Sequence, residues 1–332
     1  MKFYYAPMES ITGYPLRNAQ HELFGGLDKY FTPFVSANES GRFTGREGRD
    51  LAPENNAGLS VVPQILTRNP EHFLWAAESM AALGYEEINF NLGCPSGTVT
   101  AKGKGSGFLR DPDELDAFFE TLFSSLEKVG IRVNISVKTR IGVSSPAEAP
   151  EILKVYNRYP ISELTVHPRL QKDMYRNNCN WEVFRMFYEE SRAPICYNGD
   201  IRCPADYRRL LTAFPNLSAV MLGRGLVRNP ALARQLRGGA ALQLSELRSY
   251  VQLLLEKYQA EIQGERNVLF KLKENWNYLG ELFPTDERFR KELRKAKNLM
   301  EYKIAVRSLL NSESFAGTED VSMQPARGAE TC

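Results

Sequence analysis

Residues 84–107 read GYEEINFNLGCPSGTVTAKGKGSG, and this stretch sets how the rest of the chain is read. A glycine closes one helical pattern. Residues 87–91 then form a short run containing Ile and Phe, which predicts a strand. A helical pattern at 70–83 precedes it and another at 112–129 follows. Both open on a capping residue and a first-turn proline, Asn69-Pro70 and Asp111-Pro112. The result is a strand flanked by helices, with a polar, glycine-rich loop at its C-terminal end.

The same alternation recurs outward in both directions. Strand-like runs fall at 3–6, 30–36, 59–65, 133–138, 162–167, 195–197 and 219–222. Helical stretches fall at 146–159, 181–190 and 204–214, the first opening on Ser145-Pro146. Eight βα units in roughly 240 residues predict a parallel (β/α)8 TIM barrel. An open doubly wound sheet competes, but no glycine-rich dinucleotide fingerprint follows the first strand. One connection, 38–57, is polar and glycine-containing with no clear helical pattern. Composition shifts near Gly238-Gly239, and beyond it only helical patterns appear, at 245–263, 267–282 and 285–310, the last either one helix or a broken one. These observations divide the chain into a barrel (1–238), a small all-helical domain (239–310) and a tail (311–332) whose small, polar composition predicts disorder.

Composition excludes several function classes. The 332 residues carry a net charge of +2, so no global nucleic-acid signal exists. No apolar run approaches the roughly 20 residues of a membrane span, and the N-terminus lacks a signal-peptide core. The cytoplasm is the expected location. Five cysteines without a C-x-x-C pair, and three histidines, predict neither a zinc site nor a disulfide framework.

Barrel enzymes keep their chemistry at the C-terminal ends of the strands. Here those ends carry Pro7-Met8-Glu9, Gln64, Asn91 to Pro95, Lys138-Thr139-Arg140, His167, Asn198-Gly199-Asp200 and Gly223-Arg224-Gly225. Gly199 and Gly223 follow the last two strands, where barrels commonly bind phosphate, and Arg224 adds charge. The alternative is two ordinary βα turns. Lys138 ends an apolar strand and either faces an anion or pairs with a carboxylate of a neighbouring strand. His167 is read as a rim histidine or a ligand. Cys94 is a core residue, a proton donor or a nucleophile; its place before a loop with four glycines and two lysines predicts a mobile lid carrying a reactive thiol. Cys179, Cys196 and Cys203 read as structural.

At these residues the chain resembles the tRNA-dihydrouridine synthases, over about residues 1–310. The most specific match is INFNLGCPSGTVTAKGKGSG, supported in order by APME, PQI, SVKTRIG, TVHPR, YNGDI and MLGRG. Ser10 stands where the family usually has glycine, Phe90 replaces an aliphatic residue, and Pro168 follows His167 where glycine is common. The resemblance implies an FMN-containing barrel, a helical RNA-binding domain, tRNA as partner and NADPH (or NADH) as reductant. It implies flavin contacts from Pro7, Met8, Gln64, Lys138, His167, Asn198, Gly199, Asp200, Gly223 and Arg224, with Cys94 as the active-site acid. The chain is expected to act as a monomer. The segment 266–307 holds eleven basic and six acidic residues. Arg290, Lys291, Arg294 and Lys297 are expected to line one helical face along RNA phosphates, with Lys102 and Lys104 at the barrel mouth. A small-molecule flavin oxidoreductase, acting for example on a free pyrimidine, and a synthase acting on ribosomal RNA remain alternatives.

Overall fold

The computed structural model describes residues 1–312 and 314–316. Ten parallel strand segments follow one another: β1 Lys2–Tyr5, β2 Lys29–Phe31, β3 Val35–Ser36, β4 Val61–Val62, β5 Gln64–Leu66, β6 Glu87–Leu92, β7 Asn134–Arg140, β8 Leu164–His167, β9 Ile195–Asn198 and β10 Ala219–Leu222. Their order in the sheet is β3-β5-β6-β7-β8-β9-β10-β1-β2-β4. The ends of this ribbon meet. β2 and β3 are halves of one barrel strand and β4 and β5 are halves of the next, with β2 paired to β4 and β3 to β5. Pro33 and Pro63 interrupt the two strands because proline has no N–H to give the ladder. Thr32 bridges the gap: its N–H donates to Val62 O at 3.1 Å and its Oγ1 accepts from Gln64 N at 3.1 Å. The eight-stranded barrel expected from the sequence is therefore present, with two of its strands split.

The barrel interior holds Tyr4, Ala6, Phe31, Val62, Cys196, Ala219 and Met221, all buried. Its N-terminal end is closed by polar pairs, Tyr4 Oη donating to Glu163 at 2.7 Å and Lys29 to Glu87 at 2.6 Å. Outside, the helices cap as the sequence predicts. Asn69 accepts from Glu71 N and His72 N ahead of Pro70–Ala82, and Asp111 accepts from Glu114 N ahead of Pro112–Val129.

One expectation needs correction and one open alternative is decided. The polar connection 38–57 contains a helix, Gly45–Leu51, closed by a capping box between Thr44 and Glu47, and then a 3-10 turn, Pro53–Asn56. The glycines hide its periodicity, but the T-x-x-E cap was in the sequence. The stretch 285–310 takes the broken form, two helices, Glu287–Lys295 and Leu299–Leu310, because Asn298 leaves helical geometry and caps the second by accepting from Glu301 N at 2.8 Å.

The remaining C-terminal helices are Leu244–Glu261 and Glu265–Leu279. They share one core with the barrel: helix Leu244–Glu261 packs on helix Tyr14–Leu23, and Phe24 and Tyr250 meet edge-to-face at 5.6 Å. Most of the tail, residue 313 and residues 317–332, lies outside the described residues. Its first residues pack rather than stray: Phe315 lies 5.6 Å from Phe283, and Ala316 N donates to Leu282 O. Among the described residues, no helix is long and apolar enough to cross a membrane.

Candidate active site

A buried chain of amides begins at the strand ends. Asn89 donates to Ser136 Oγ at 2.9 Å, Gln64 donates to Asn89 Oδ1 at 2.7 Å, and Asn91 donates to Gln64 Oε1 at 2.8 Å. The Asn91 carbonyl is thereby aimed past the strand, where it accepts from Gly93 N at 3.1 Å and Cys94 N at 2.9 Å. This fixes the turn that presents Cys94. From the other side Arg140, fully buried, donates to Gly93 O at 2.9 Å, Leu170 O at 2.8 Å and Met174 O at 2.8 Å. Burial pushes the Cys94 thiol above its ordinary pKa, so it carries its proton at neutral pH.

The loop after Cys94 is a folded segment and not the open lid its composition suggests. It holds a helical turn, Gly97–Thr100, and a 3-10 turn, Gly105–Arg110. Ser106 binds Cys94 O twice, through N at 3.0 Å and Oγ at 2.9 Å. Gly105 sits at φ +57°, and a Cβ there would lie 2.7 Å from Cys94 O. Replacing it strains the backbone and pushes on the Cys94 turn. Gly105→Ala is expected to cost about 2 kcal/mol or more of stability, read from the urea midpoint.

Beside Cys94, on the neighbouring strand, the rim is cationic. Lys138 and Arg140 end β7, and Arg140 stands in register with His167 on β8. The Lys138 side chain forms no ion pair or hydrogen bond among the described residues, so the carboxylate-pair reading is not what the structure shows. Burial, with Arg140 nearby, pulls its pKa down to about 8. Burial and the charges of Arg140, Lys138, Arg169 and Arg224 hold His167 well below its ordinary pKa, so its ring is neutral. Arg169 bonds His167 Nε2 at 3.0 Å and pairs with Asp200, which Arg224 also contacts at 2.8 Å. Burial opposes charge on Asp200, but these two arginines outweigh it and keep the carboxyl below its usual range. Tyr175 covers this group, 4.9 Å from the Arg224 guanidinium and 5.4 Å from that of Arg140.

The other expected residues close the ring. Met8 Sδ is 3.8 Å from where a Gly223 Cβ would be, and Pro7 precedes it, half-buried. Asn198 is anchored by donating to Met221 O at 2.8 Å. Gly199 is required by packing, since a Cβ there would collide with the Tyr197 hydroxyl. Of the basic residues assigned to RNA, Lys102, Lys291, Arg294 and Lys297 are exposed and Lys104 is half-buried. The single helical face does not form. The helix ends at Lys295, so Lys297 lies beyond it, and Arg290 folds back to donate to Pro284 O at 3.1 Å. Lys291 pairs with Glu287 at 3.0 Å.

A sequence profile described as dihydrouridine synthase matches residues 4–314, nearly the whole of what the structure describes. The chain belongs to the dihydrouridine synthase family. It is an enzyme of that family, an oxidoreductase. It is 30% identical over 234 residues to tRNA-dihydrouridine synthase B of Pasteurella multocida, covering 70% of this chain and 68% of that one. It is 28% identical over 242 residues to tRNA-dihydrouridine(16) synthase of Cupriavidus necator, covering 71% and 74%. Among solved structures, morphinone reductase superposes with a TM-score of 0.53 at 11% identity, over 73% of this chain and 87% of that one. Histamine dehydrogenase from Rhizobium sp. 4-9 gives 0.54 at 12%, over 82% and 49%. At such identities these two show the barrel fold alone.

For this dihydrouridine synthase the sequence singled out the strand ends but not the residues that hold them. Asn89 and Ser136 read as strand interior, and Arg169 as part of a motif without a role. Tyr175 comes from the loop between β8 and the next helix, where no periodicity or spacing marks it.

Proposed function

We propose that this chain is an FMN-dependent tRNA-dihydrouridine synthase that uses NADPH to reduce the C5=C6 bond of a uridine in tRNA. The observation that carries the reading is the meeting, at the ends of the neighbouring strands β6 and β7, of a protonated, half-buried thiol, Cys94, and a half-buried ammonium without a carboxylate partner, Lys138. The donor set fits a flavin. An unpaired cation at a strand end suits the anionic N1/O2 edge of a reduced isoalloxazine, and the neutral His167 offers an uncharged polar contact; Gln64, fully buried, supports the site through Asn91. The glycine-flanked arginine Arg224 suits a phosphate, as do Asn198, Gly199 and Gly223 around it. Pro7 and Met8 supply an apolar wall, and Asp200 orients Arg224.

When bound, the reduced flavin supplies the hydride that adds at C6 of the uracil ring. The charge left on the ring is conjugated to the C4 carbonyl, and a proton must reach C5. Cys94 donates that proton as general acid, and its burial keeps it protonated until then. The thiolate so formed takes its next proton from solvent. The target base leaves the helical stack to enter the barrel mouth.

In this reading residues 1–238 are the catalytic barrel and 239–310 hold the RNA, in the cytoplasm and as a single chain. Phosphates meet Arg294 and Lys297 on the helical side and Lys102 and Lys104 at the mouth, with Arg290 and Lys291 in supporting ion pairs and packing. Arg294→Ala with Lys297→Ala is expected to weaken tRNA binding at every salt concentration. It should reduce the log–log salt slope by about 1–2 without changing flavin content. Unchanged slope and affinity would remove these two residues from the RNA path. The function itself is tested by incubating the purified chain with NADPH and unmodified tRNA and digesting the RNA. Dihydrouridine should appear in tRNA and not in free uracil or ribosomal RNA.

A further inference from the structure

Ser10 has φ +61°, one of only two non-glycine residues with positive φ among the described residues. A side chain in that conformation costs about 1–2 kcal/mol, which glycine would avoid. What the side chain gains is a partner on the other side of a seam. Ser10 Oγ donates to Glu274 Oε1 at 3.0 Å, and Lys271 Nζ donates to Ser10 O at 2.8 Å. Lys271 and Glu274 are themselves paired at 2.8 Å, one turn apart on helix Glu265–Leu279. Ser10 sits at the middle of a closed loop. Met8 O accepts from Ile11 N and Thr12 N at 3.1 Å each, and Met8 N donates to Thr12 Oγ1 at 2.8 Å. Arg17 holds the far end of that loop by donating to Thr12 O at 2.8 Å. The loop is therefore tied by hydrogen bonds to Met8, beside Gly223 at the candidate site.

We propose that Ser10, Lys271 and Glu274 form a latch that couples RNA docking on the helical region to the position of the Met8 loop in the active site. The three are positioning residues: none touches the reacting atoms. The latch is polar and lies at the edge of solvent, with the Lys271 and Glu274 side chains 23% and 21% exposed, on the same helix whose Val268, Leu269 and Leu272 join the core shared with the barrel. Helix Glu265–Leu279 is also the start of the basic segment, with Arg266 exposed on it. The inference rests on the proposal that the helical region holds RNA.

The test compares Glu274→Leu, Lys271→Met and Glu274→Gln in the flavin-loaded full chain. Three quantities are read: tRNA affinity, the single-turnover rate of uridine reduction, and hydrogen exchange at amides 8–12 with and without tRNA. Glu274→Gln keeps a carbonyl acceptor for Ser10 and is expected to behave like the parent. Glu274→Leu and Lys271→Met are expected to lower the single-turnover rate about 10-fold, with tRNA affinity within about 2-fold. They should also abolish the slowing of exchange at 8–12 that tRNA causes in the parent. NADPH oxidation without RNA should be unchanged. A full rate in both variants, or a rate loss matched by an equal loss of affinity, would overturn the latch. Unchanged tRNA affinity in the full chain carrying Arg266→Ala, Arg294→Ala and Lys297→Ala would instead overturn the RNA-binding role of the helical region.

Discussion

Cys94→Ala is expected to retain its flavin and oxidise NADPH at the parental rate, yet to lose uridine reduction by about 10²–10⁴-fold. The substitution removes a thiol and leaves the backbone that holds it. The Asn91 carbonyl still accepts from the amides of residues 93 and 94, and Ser106 still binds the carbonyl of residue 94. The loss therefore falls on the proton step. The pH dependence is a second signature. Burial raises the thiol's pKa, so the acid form persists above the ordinary thiol value of about 8.5 and activity declines only beyond it. Alkylation by iodoacetamide should be slow at neutral pH for the same reason. Dihydrouridine formed at the parental rate by the alanine variant would refute the general-acid role.

The second large effect has two opposite parts. Lys138→Met is expected to stabilise the flavin-free protein by about 1–2 kcal/mol and to weaken binding of reduced flavin about 10–100-fold. Burial lowers the ammonium's pKa from 10.5 to about 8 in the folded chain. Between those values the unfolded chain holds a proton that the folded chain has released, so the stability of the flavin-free parent rises as pH goes from 8 to 10.5. Below pH 8 both states are charged, and the folded state bears the full cost of burying the charge. Partial access to water keeps that cost below the full shift. Met removes both the cost and the pH slope while preserving length and apolar packing. Urea unfolding at pH 7 and pH 10, with and without flavin, separates the two parts. A variant less stable than the flavin-free parent would show that Lys138 has a partner in the fold.

The barrel was legible because its determinants are local. Asn69-Pro70 and Asp111-Pro112 announce helices whose caps the structure contains, and the apolar runs between them are strands buried on both faces. What stayed hidden depends on residues far apart in sequence. The split of the second and third barrel strands follows from Pro33 and Pro63, which periodicity passes over because the apolar run continues through them. The composition SGTVTAKGKGSG says loop, but Ser106 and Gly105 fold it onto the carbonyl of Cys94, a long-range contact that composition does not encode. Similarly, Arg140 was visible as a cation at a strand end, whereas its three backbone acceptors come from two other loops. The family match at Ser10 had flagged a missing glycine. The reason it is tolerated, a bonded pair on a helix more than 250 residues away, exists only in three dimensions.

Uridine reduction in tRNA by this protein is tested most directly by a map of dihydrouridine in RNA from cells with and without it. Loss of dihydrouridine at one or more defined tRNA positions, restored by the parent and not by Cys94→Ala, is the expected result. Identical dihydrouridine maps in the two RNA populations would contradict it.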